Sequence, residues 1–306
     1  MSVKKVLIAG GSGLVGRRLT EMLRKKGCEV AWLSRSSNRS SEVKVYAWDV
    51  FENKIDESAL EGVDAVINLT GAGIADSRWT KHRKEIITES RTNATRLLGE
   101  HINRMDKAPK VFIGASAIGF YGDRGEEWMS ENSEPGKTGF LPESVREIEL
   151  AIEQDVPDTI RKVVPRFGVI LSRRGGALPK LLMPLKFGIS SSLGPGTQYM
   201  SWVHIDDVCR FLIRAIEDES VIGTFNITAP NPVTHKQMAK ALTKDWNAFS
   251  LVLPVPAFVL RLLLGEMADT VLDSTRVRPQ RLSDIGFEFH YPDIDVALKD
   301  LKSREI

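Results

Sequence analysis

Two stretches of this chain hold residues whose types and spacing could do chemistry. The first, "VLIAGGSGLVGRRL", sets Gly10, Gly13 and Gly16 between a short apolar run and a helical pattern. Glycines in that context permit a tight turn, a close backbone approach to a pyrophosphate and close helix–strand packing, while the helix N-terminus faces the anion. The second, "KVFIGASAIGFYGDRG", is an apolar run followed by Ser116 and then Tyr121 as the chain turns away. A positioned hydroxyl can pass a proton to or from a substrate oxygen, and a tyrosine does so best when a lysine lowers its pKa. The chain has four tyrosines, Tyr46, Tyr121, Tyr199 and Tyr291, and the residues four places on are Val50, Gly125, Val203 and Asp295. No tyrosine has a lysine one helical turn downstream. The residues for holding phosphate are present, and no tyrosine has the lysine neighbour that would ease its loss of a proton.

The elements that must position these residues alternate along the first half. Strand-like runs "KVLIA", "EVAWLS", "EVKVYAW", "DAVINLT" and "KVFIGAS" are separated by helical patterns, among them "GLVGRRLTEMLRKKG" and one near residues 80–104. Such alternation predicts an α/β fold, a Rossmann-type doubly wound parallel sheet that binds ligands beyond the carboxyl ends of its strands. After "IRKVVPRFGVIL" the rhythm breaks up in "RRGGALPKLLMPLKFG" and "ISSSLGPGTQ", then resumes in "MSWVHIDDVCRFLIRAIED" and "GTFNITAP". We expect residues 1–170 and 203–228 to form the nucleotide-binding domain, and 171–202 and 229–306 a smaller C-terminal substrate lobe. The most apolar stretch, residues 251–265, is interrupted by Pro254, Pro256 and Arg261 and falls short of the roughly 20 residues a membrane helix needs. It reads as a loop leading into a packed amphipathic helix.

Composition narrows the partners. The 42 Lys and Arg against 40 Asp and Glu leave a formal charge of +2, without the footprint expected for nucleic acid or an anionic membrane. A small-molecule substrate fits better. The two cysteines, Cys28 and Cys209, have no metal-ligand spacing and read as buried small hydrophobes in a reducing compartment. Without a leader-like pattern at the start, a cytoplasmic location is expected.

The second strand indicates which dinucleotide. An NAD-preferring fold usually carries Asp or Glu at its end to bond the ribose 2′-hydroxyl, and here Ser34 and Arg35 stand there. A guanidinium suits a 2′-phosphate and a carboxylate would repel it, so NADP(H) is the expected cofactor. Asp49 follows the third strand, where it can face the adenine. The small residues of "NLTGAGI" would let backbone lie along the cofactor ribose.

With these motifs in hand, the chain resembles the extended short-chain dehydrogenase/reductase superfamily. More narrowly it is similar to the epimerase family proteins, a group named by analogy with nucleoside-diphosphate-sugar epimerases. The segments that carry the likeness include "GGAL" at 175–178, "SWVHIDDV" at 201–208, "NITAPNPVT" at 226–234 and "PVPAFVLRLLLGEMAD" at 254–269. The resemblance implies that Gly10, Ser12, Gly13, Leu14 and Val15 line the diphosphate, that Ser34 and Arg35 hold the adenosine phosphate, and that Leu69, Thr70 and Gly71 flank the ribose. Arg91 would be a further polar contact or simply part of a charged helix face. His204 and Asp207 fall in a segment that is mostly structural in the superfamily, Asp207 being read as a helix N-cap. The superfamily's catalytic tyrosine and lysine align with Leu141 and Val145, and its strand serine with Ala117, one place after Ser116. Two functions follow: an oxidoreductase or epimerase-like enzyme with a substitute acid, for which Ser116 and Tyr121 are nearest, or an NADP(H)-binding sensor or scaffold in which Tyr121 is only a wall residue. A homodimer is consistent with either.

Overall fold

The computed structural model describes residues 3–35, 43–246 and 250–304. Side chains alternate across a strand, and along Lys5–Ala9 both sets are apolar, so the strand is buried on both faces. Val6 and Ile8 pack with Leu19 and Leu23 of the Leu14–Lys25 helix and with Val208 and Leu212 of the Ile205–Glu217 helix. Leu7 and Ala9 pack on the other face with Leu97 and Leu98 of the Lys81–Ile102 helix and with Ile148 and Ile152 of the Phe140–Asp155 helix.

Among the described residues this sheet has nine strands. Its order is Gly223–Ile227, Arg161–Phe167, Val111–Gly114, Ala65–Asn68, Lys5–Ala9, Glu29–Ser34, Lys44–Asp49 and Lys54–Ile55, and Ser116–Ala117 pairs with Arg161–Phe167. Every pairing is parallel except the last two strands of that order. The order reverses between Lys5–Ala9 and Ala65–Asn68, which lie side by side with Ala9 opposite Asn68. This is the Rossmann-type doubly wound sheet anticipated from the alternation, and the reversal opens a crevice at those two carboxyl ends. A separate cluster gathers Leu171, Leu178, Trp202, Met238, Leu242 and Leu298, residues far apart in sequence. Among the described residues no helix is long and apolar enough to cross a membrane.

Two local expectations are corrected. Residues Leu251–Val255 form a strand parallel to Ile189–Leu193, where an edge position tolerates Pro254. On the following Ala257–Leu264 helix only Leu260 is buried, while Phe258 and Leu262 are 72% and 74% exposed. That helix is apolar around most of its circumference, and the chain covers one side of it. The N-cap of the Ile205–Glu217 helix is His204, not Asp207, because the His204 Nδ1 accepts the Asp206 N–H at 3.1 Å. Asp207 lies within the first turn and its carboxylate accepts the backbone N–H groups of His290 and Tyr291, both at 3.0 Å.

Candidate functional site

The Lys5–Ala9 strand ends at Gly10, whose φ of +77° lies in the left-handed region and whose Cβ, if present, would sit 2.8 Å from the Leu69 carbonyl. Gly16 is also demanded by packing, since a Cβ there would meet Gly11 Cα at 2.6 Å. Gly13 is different. It is exposed, its φ of −75° suits any residue, and a Cβ would meet only the Gly10 carbonyl oxygen at 3.2 Å. It is the N-cap of the Leu14–Lys25 helix and has no side chain to cap the first-turn N–H groups of Leu14, Val15 and Gly16. Uncapped N–H groups behind a space the fold leaves open make a cradle for an anion. Ser12 is half-buried, and its carbonyl accepts the Arg17 Nε at 2.8 Å. The Leu14 side chain lies against Gly175 and Gly176, so the "GGAL" segment borders the loop. Sequence reasoning left that segment without a place at the site, although paired glycines are a signal of close approach.

The other wall of the crevice follows Ala65–Asn68. Leu69 donates its N–H to the Ala9 carbonyl at 2.9 Å, locking the two strand ends together. The Thr70 hydroxyl is buried and has no hydrogen-bond partner among the described residues. The Arg91 guanidinium packs where a Gly71 side chain would be, 2.4 Å from that Cβ position, and donates to the carbonyls of Ile87 at 2.6 Å and Ala72 at 3.1 Å. Among the described residues no carboxylate pairs with it. Burial pulls Arg91 down to about 10, and the neighbouring Arg83 adds to the shift. A buried hydroxyl without a partner and a desolvated cation without a counter-ion are groups that a bound, anionic, hydroxyl-bearing molecule would satisfy. These residues therefore fit the diphosphate and ribose of a dinucleotide.

At the end of the Glu29–Ser34 strand, Ser34 is half-buried and Arg35 is exposed. Asp49 shapes its own turn, its Oδ1 accepting the N–H groups of Phe51 at 2.9 Å and Glu52 at 3.2 Å.

Ser116 and Tyr121 are brought together, though at the interior of a polar network. Ser116 donates to Glu149 Oε1 at 2.5 Å, Arg166 grips both Glu149 oxygens, and the third Arg166 donor reaches the Tyr121 hydroxyl at 2.9 Å. Tyr121 gives its own proton to Asn226 Oδ1 at 2.7 Å and is fully buried. Burial raises the Tyr121 phenol above its ordinary value, and Arg166 and Asn226 only partly offset this. Glu149 and Arg166 were absent from the residues singled out by sequence. The available signal was an arginine inside the buried strand "RKVVPRF", which demands a buried counter-charge.

The Phe140–Asp155 helix turns Leu141 and Val145 toward Gly119, whose Cβ position lies 3.3 Å from Leu141 Cβ and 3.7 Å from Val145 Cγ2. Neither side chain carries a proton to exchange. Beside them is a cavity of about 700 Å³ with an apolar wall of Trp79, Phe140 and Leu141 and with Asp123, Asp269 and Asp273 among its other lining residues. Trp79 and Phe140 meet edge to face at 4.8 Å, and Trp79 is held by its Nε1 donating to the Ile74 carbonyl. The wall thus joins the segment that follows Gly71 to the helix bearing Leu141.

Residues 6–144 match the model of the NAD dependent epimerase/dehydratase family, and residues 255–301 match a domain of unknown function, DUF1731. Epimerase family protein YfhF of Bacillus subtilis is 35% identical over 302 residues, covering 97% of each chain. Epimerase family protein SSP1921 of Staphylococcus saprophyticus is 36% identical over 308 residues, covering 98% of this chain and 99% of its own. Among solved structures, human epimerase family protein SDR39U1 with NADPH is similar at a TM-score of 0.88 and 28% identity, over 98% of this chain and 100% of that one. A nucleoside-diphosphate sugar epimerase from Corynebacterium glutamicum reaches a TM-score of 0.78 at 35% identity, over 98% of this chain and 58% of that one. Because these likenesses run through the glycine loop, the crevice and the C-terminal segment alike, the chain belongs to the epimerase family proteins, within the extended short-chain dehydrogenase/reductases.

Proposed function

We propose that the protein binds NADP(H) in the crevice between Lys5–Ala9 and Ala65–Asn68 and uses it for oxidoreductase or epimerase-like chemistry on a small polar substrate held in the cavity beside Leu141. The observation that carries this reading is the convergence of unmet polar groups on one crevice: the uncapped N–H groups behind Gly13, the Thr70 hydroxyl and the Arg91 cation. Gly10 to Gly16 would hold the diphosphate, Leu69 to Gly71 would flank the ribose, and Ser34 with Arg35 would hold a 2′-phosphate. The NADPH named with the human relative supports the phosphorylated form.

A nicotinamide supplies or accepts a hydride when bound. What remains for the chain is to orient the substrate and to move one proton. Leu141 and Val145 occupy the places of the superfamily's tyrosine and lysine and cannot move it. Ser116 and Tyr121 have their protons committed inside the protein, to Glu149 and Asn226, so we assign them a positioning role: they fix the turn against which Leu141 packs.

Calorimetry with NADPH and NADH, followed by NADPH oxidation against a panel of small aldehydes, ketones and quinones, tests the reading. NADPH should bind roughly tenfold or more tighter than NADH, the value of one charge-assisted contact, and at least one carbonyl should be reduced. Absence of binding by either dinucleotide would overturn it. A second reading, an NADP(H)-responsive binder without turnover, is favoured by the aprotic Leu141 and Val145. It requires NADPH binding with no oxidation by any member of the panel.

A further inference from the structure

We propose that Asp273 is the proton-transferring carboxyl of the cavity, doing the work for which Leu141 has no group; this rests on the enzymatic reading above. Asp273 directly follows the Asp269–Leu272 helix, is half-buried and lines the same cavity as Leu141, Phe140 and Trp79. The other aspartates there are engaged. Asp123 Oδ1 accepts the N–H groups of Gly125 at 3.2 Å and Ser274 at 3.0 Å, and Asp269 takes Arg261 at 2.9 Å. Among the described residues the Asp273 carboxyl has no hydrogen bond and no ion pair. The charged groups that act on it are Asp269, Asp123 and Arg261, two like and one opposite, and the opposite one is paired with Asp269. Burial pushes the Asp273 carboxyl up to about 6, with Asp269 and Asp123 adding and Arg261 opposing. Near neutral pH such a group is present in both forms, which is what a proton donor and acceptor requires.

The same lining selects the substrate. Arg124 is paired with both oxygens of Glu127 at 3.0 and 3.1 Å, and Arg261 Nη1 with Asp269, so each guanidinium already has a carboxylate partner that a diphosphate would have to displace or share. A nucleoside diphosphate would bring its negative charge against Asp123, Glu134, Asp269 and Asp273, with the exposed Lys137 as the lining cation not already paired with a carboxylate among the described residues. An uncharged carbonyl or hydroxyl compound fits instead. In the reducing direction the carbonyl carbon receives a hydride with its electron pair from NADPH, which becomes NADP⁺. The C=O π pair moves to oxygen, and that oxygen takes the Asp273 proton as the carboxyl O–H bond breaks. The carboxylate regains a proton from water, and oxidation runs the same steps in reverse.

Two measurements test this. In the protein without added cofactor, carbon-13 NMR of the Asp273 carboxyl should give a titration midpoint near 6, and an ordinary aspartate midpoint overturns the assignment. With 9,10-phenanthrenequinone and NADPH, Asp273→Asn should lower kcat by roughly 10²-fold or more, leave the NADPH Kd within about twofold, and abolish the fall in kcat as pH rises through the carboxyl's midpoint. Asp273→Glu should restore part of the rate and that pH limb. Should Asp273→Asn fail to fold, Asp269→Asn removes one like charge and releases Arg261, and it should move the NMR midpoint and the pH limb together to lower pH. A working enzyme whose kcat and pH profile are unchanged in Asp273→Asn, or whose pH limb does not move in Asp269→Asn, overturns the proposal alone. A wild-type protein that binds NADPH and reduces neither the quinone nor any carbonyl overturns the enzymatic reading and this proposal together.

Discussion

Arg166 and Glu149 meet in a two-point ion pair, Nε to Oε1 and Nη2 to Oε2, both at 2.7 Å, between the Arg161–Phe167 strand and the Phe140–Asp155 helix. Burial alone would pull the guanidinium down, yet Glu149 and the Tyr121 phenol hold it above its ordinary value. Removing one partner leaves the other charge stranded in the interior. Glu149→Ala should therefore cost about 3–5 kcal/mol of stability in urea unfolding, and pairing it with Arg166→Met should recover part of that loss. A cost below about 1 kcal/mol would mean the pair is effectively solvated.

Tyr121→Phe separates a positioning role from an acid role. The ring packing is kept while Asn226 loses its donor and Arg166 one acceptor. Stability should fall by about 1–3 kcal/mol, the cost of leaving buried polar groups unpaired. NADPH affinity and any turnover should stay within about twofold, since a positioned acid contributes far more than that. A tenfold fall in kcat at unchanged stability would return Tyr121 to the chemistry.

Arg35 is exposed at the end of the second strand and is the residue we propose to meet a 2′-phosphate. Arg35→Asp should remove the preference for NADPH over NADH, a change of about 1.5–3 kcal/mol in relative affinity. Calorimetry on the unaltered protein showing equal affinity for the two dinucleotides would sink this assignment before any variant is made.

Gly13 and Gly16 should separate binding from folding. A side chain at Gly13 meets one carbonyl oxygen at 3.2 Å and otherwise enters the open space in front of the helix N-terminus. Gly13→Val should keep its circular dichroism and lose NADPH binding. At Gly16 the new Cβ would collide with the Gly11 Cα and carbonyl oxygen, both at 2.6 Å, so Gly16→Val should be poorly folded. Normal NADPH binding by folded Gly13→Val would place the phosphates elsewhere.

How much of this could be read from the chain follows from the range of the forces involved. The central sheet was legible because strand burial and helix amphipathicity repeat at fixed short periods, as in Lys5–Ala9 and Leu14–Lys25. The glycine loop was legible for the same reason, as strand, turn and helix are contiguous. Glu149 was not, because in "FLPESVREIELAIEQD" it looks like any other charged position on a helix face, and its partner Arg166 is 17 residues away. Asp273 was hidden more deeply. Its environment is made by Asp123, 150 residues earlier, and by the way the Ala257–Leu264 helix spends Arg261 on Asp269. The Ala257–Leu264 helix was misread because period alone says nothing about whether the chain has anything to cover an apolar face.

The final prediction is the stability of the protein against pH. Burial pulls His204 and His235 down to about 4 from the ordinary 6.5. His204 has no exposed surface, its Nδ1 accepts the Asp206 N–H, and its proton therefore sits on Nε2, 3.1 Å from Asp300. As pH falls from 6.5 toward 4, the unfolded chain takes up a proton on each histidine that the folded chain refuses, so both work against folding. Asp273 works the other way: from about 6 down to 3.8 the folded protein holds a proton that the unfolded chain does not. Two histidines outweigh one carboxyl, and at lower pH Asp206 adds to the loss. Burial alone would raise Asp206, but Arg18 and Arg304 hold its carboxylate well below the usual range. Urea midpoints should therefore fall on going from about pH 7 to about pH 4.5, and Asp273→Asn should steepen that fall by removing a group that opposes it. A midpoint that is flat or rises toward acid would show that these histidines are hydrated in the folded protein, and a slope untouched by Asp273→Asn would show that its carboxyl titrates as an ordinary aspartate.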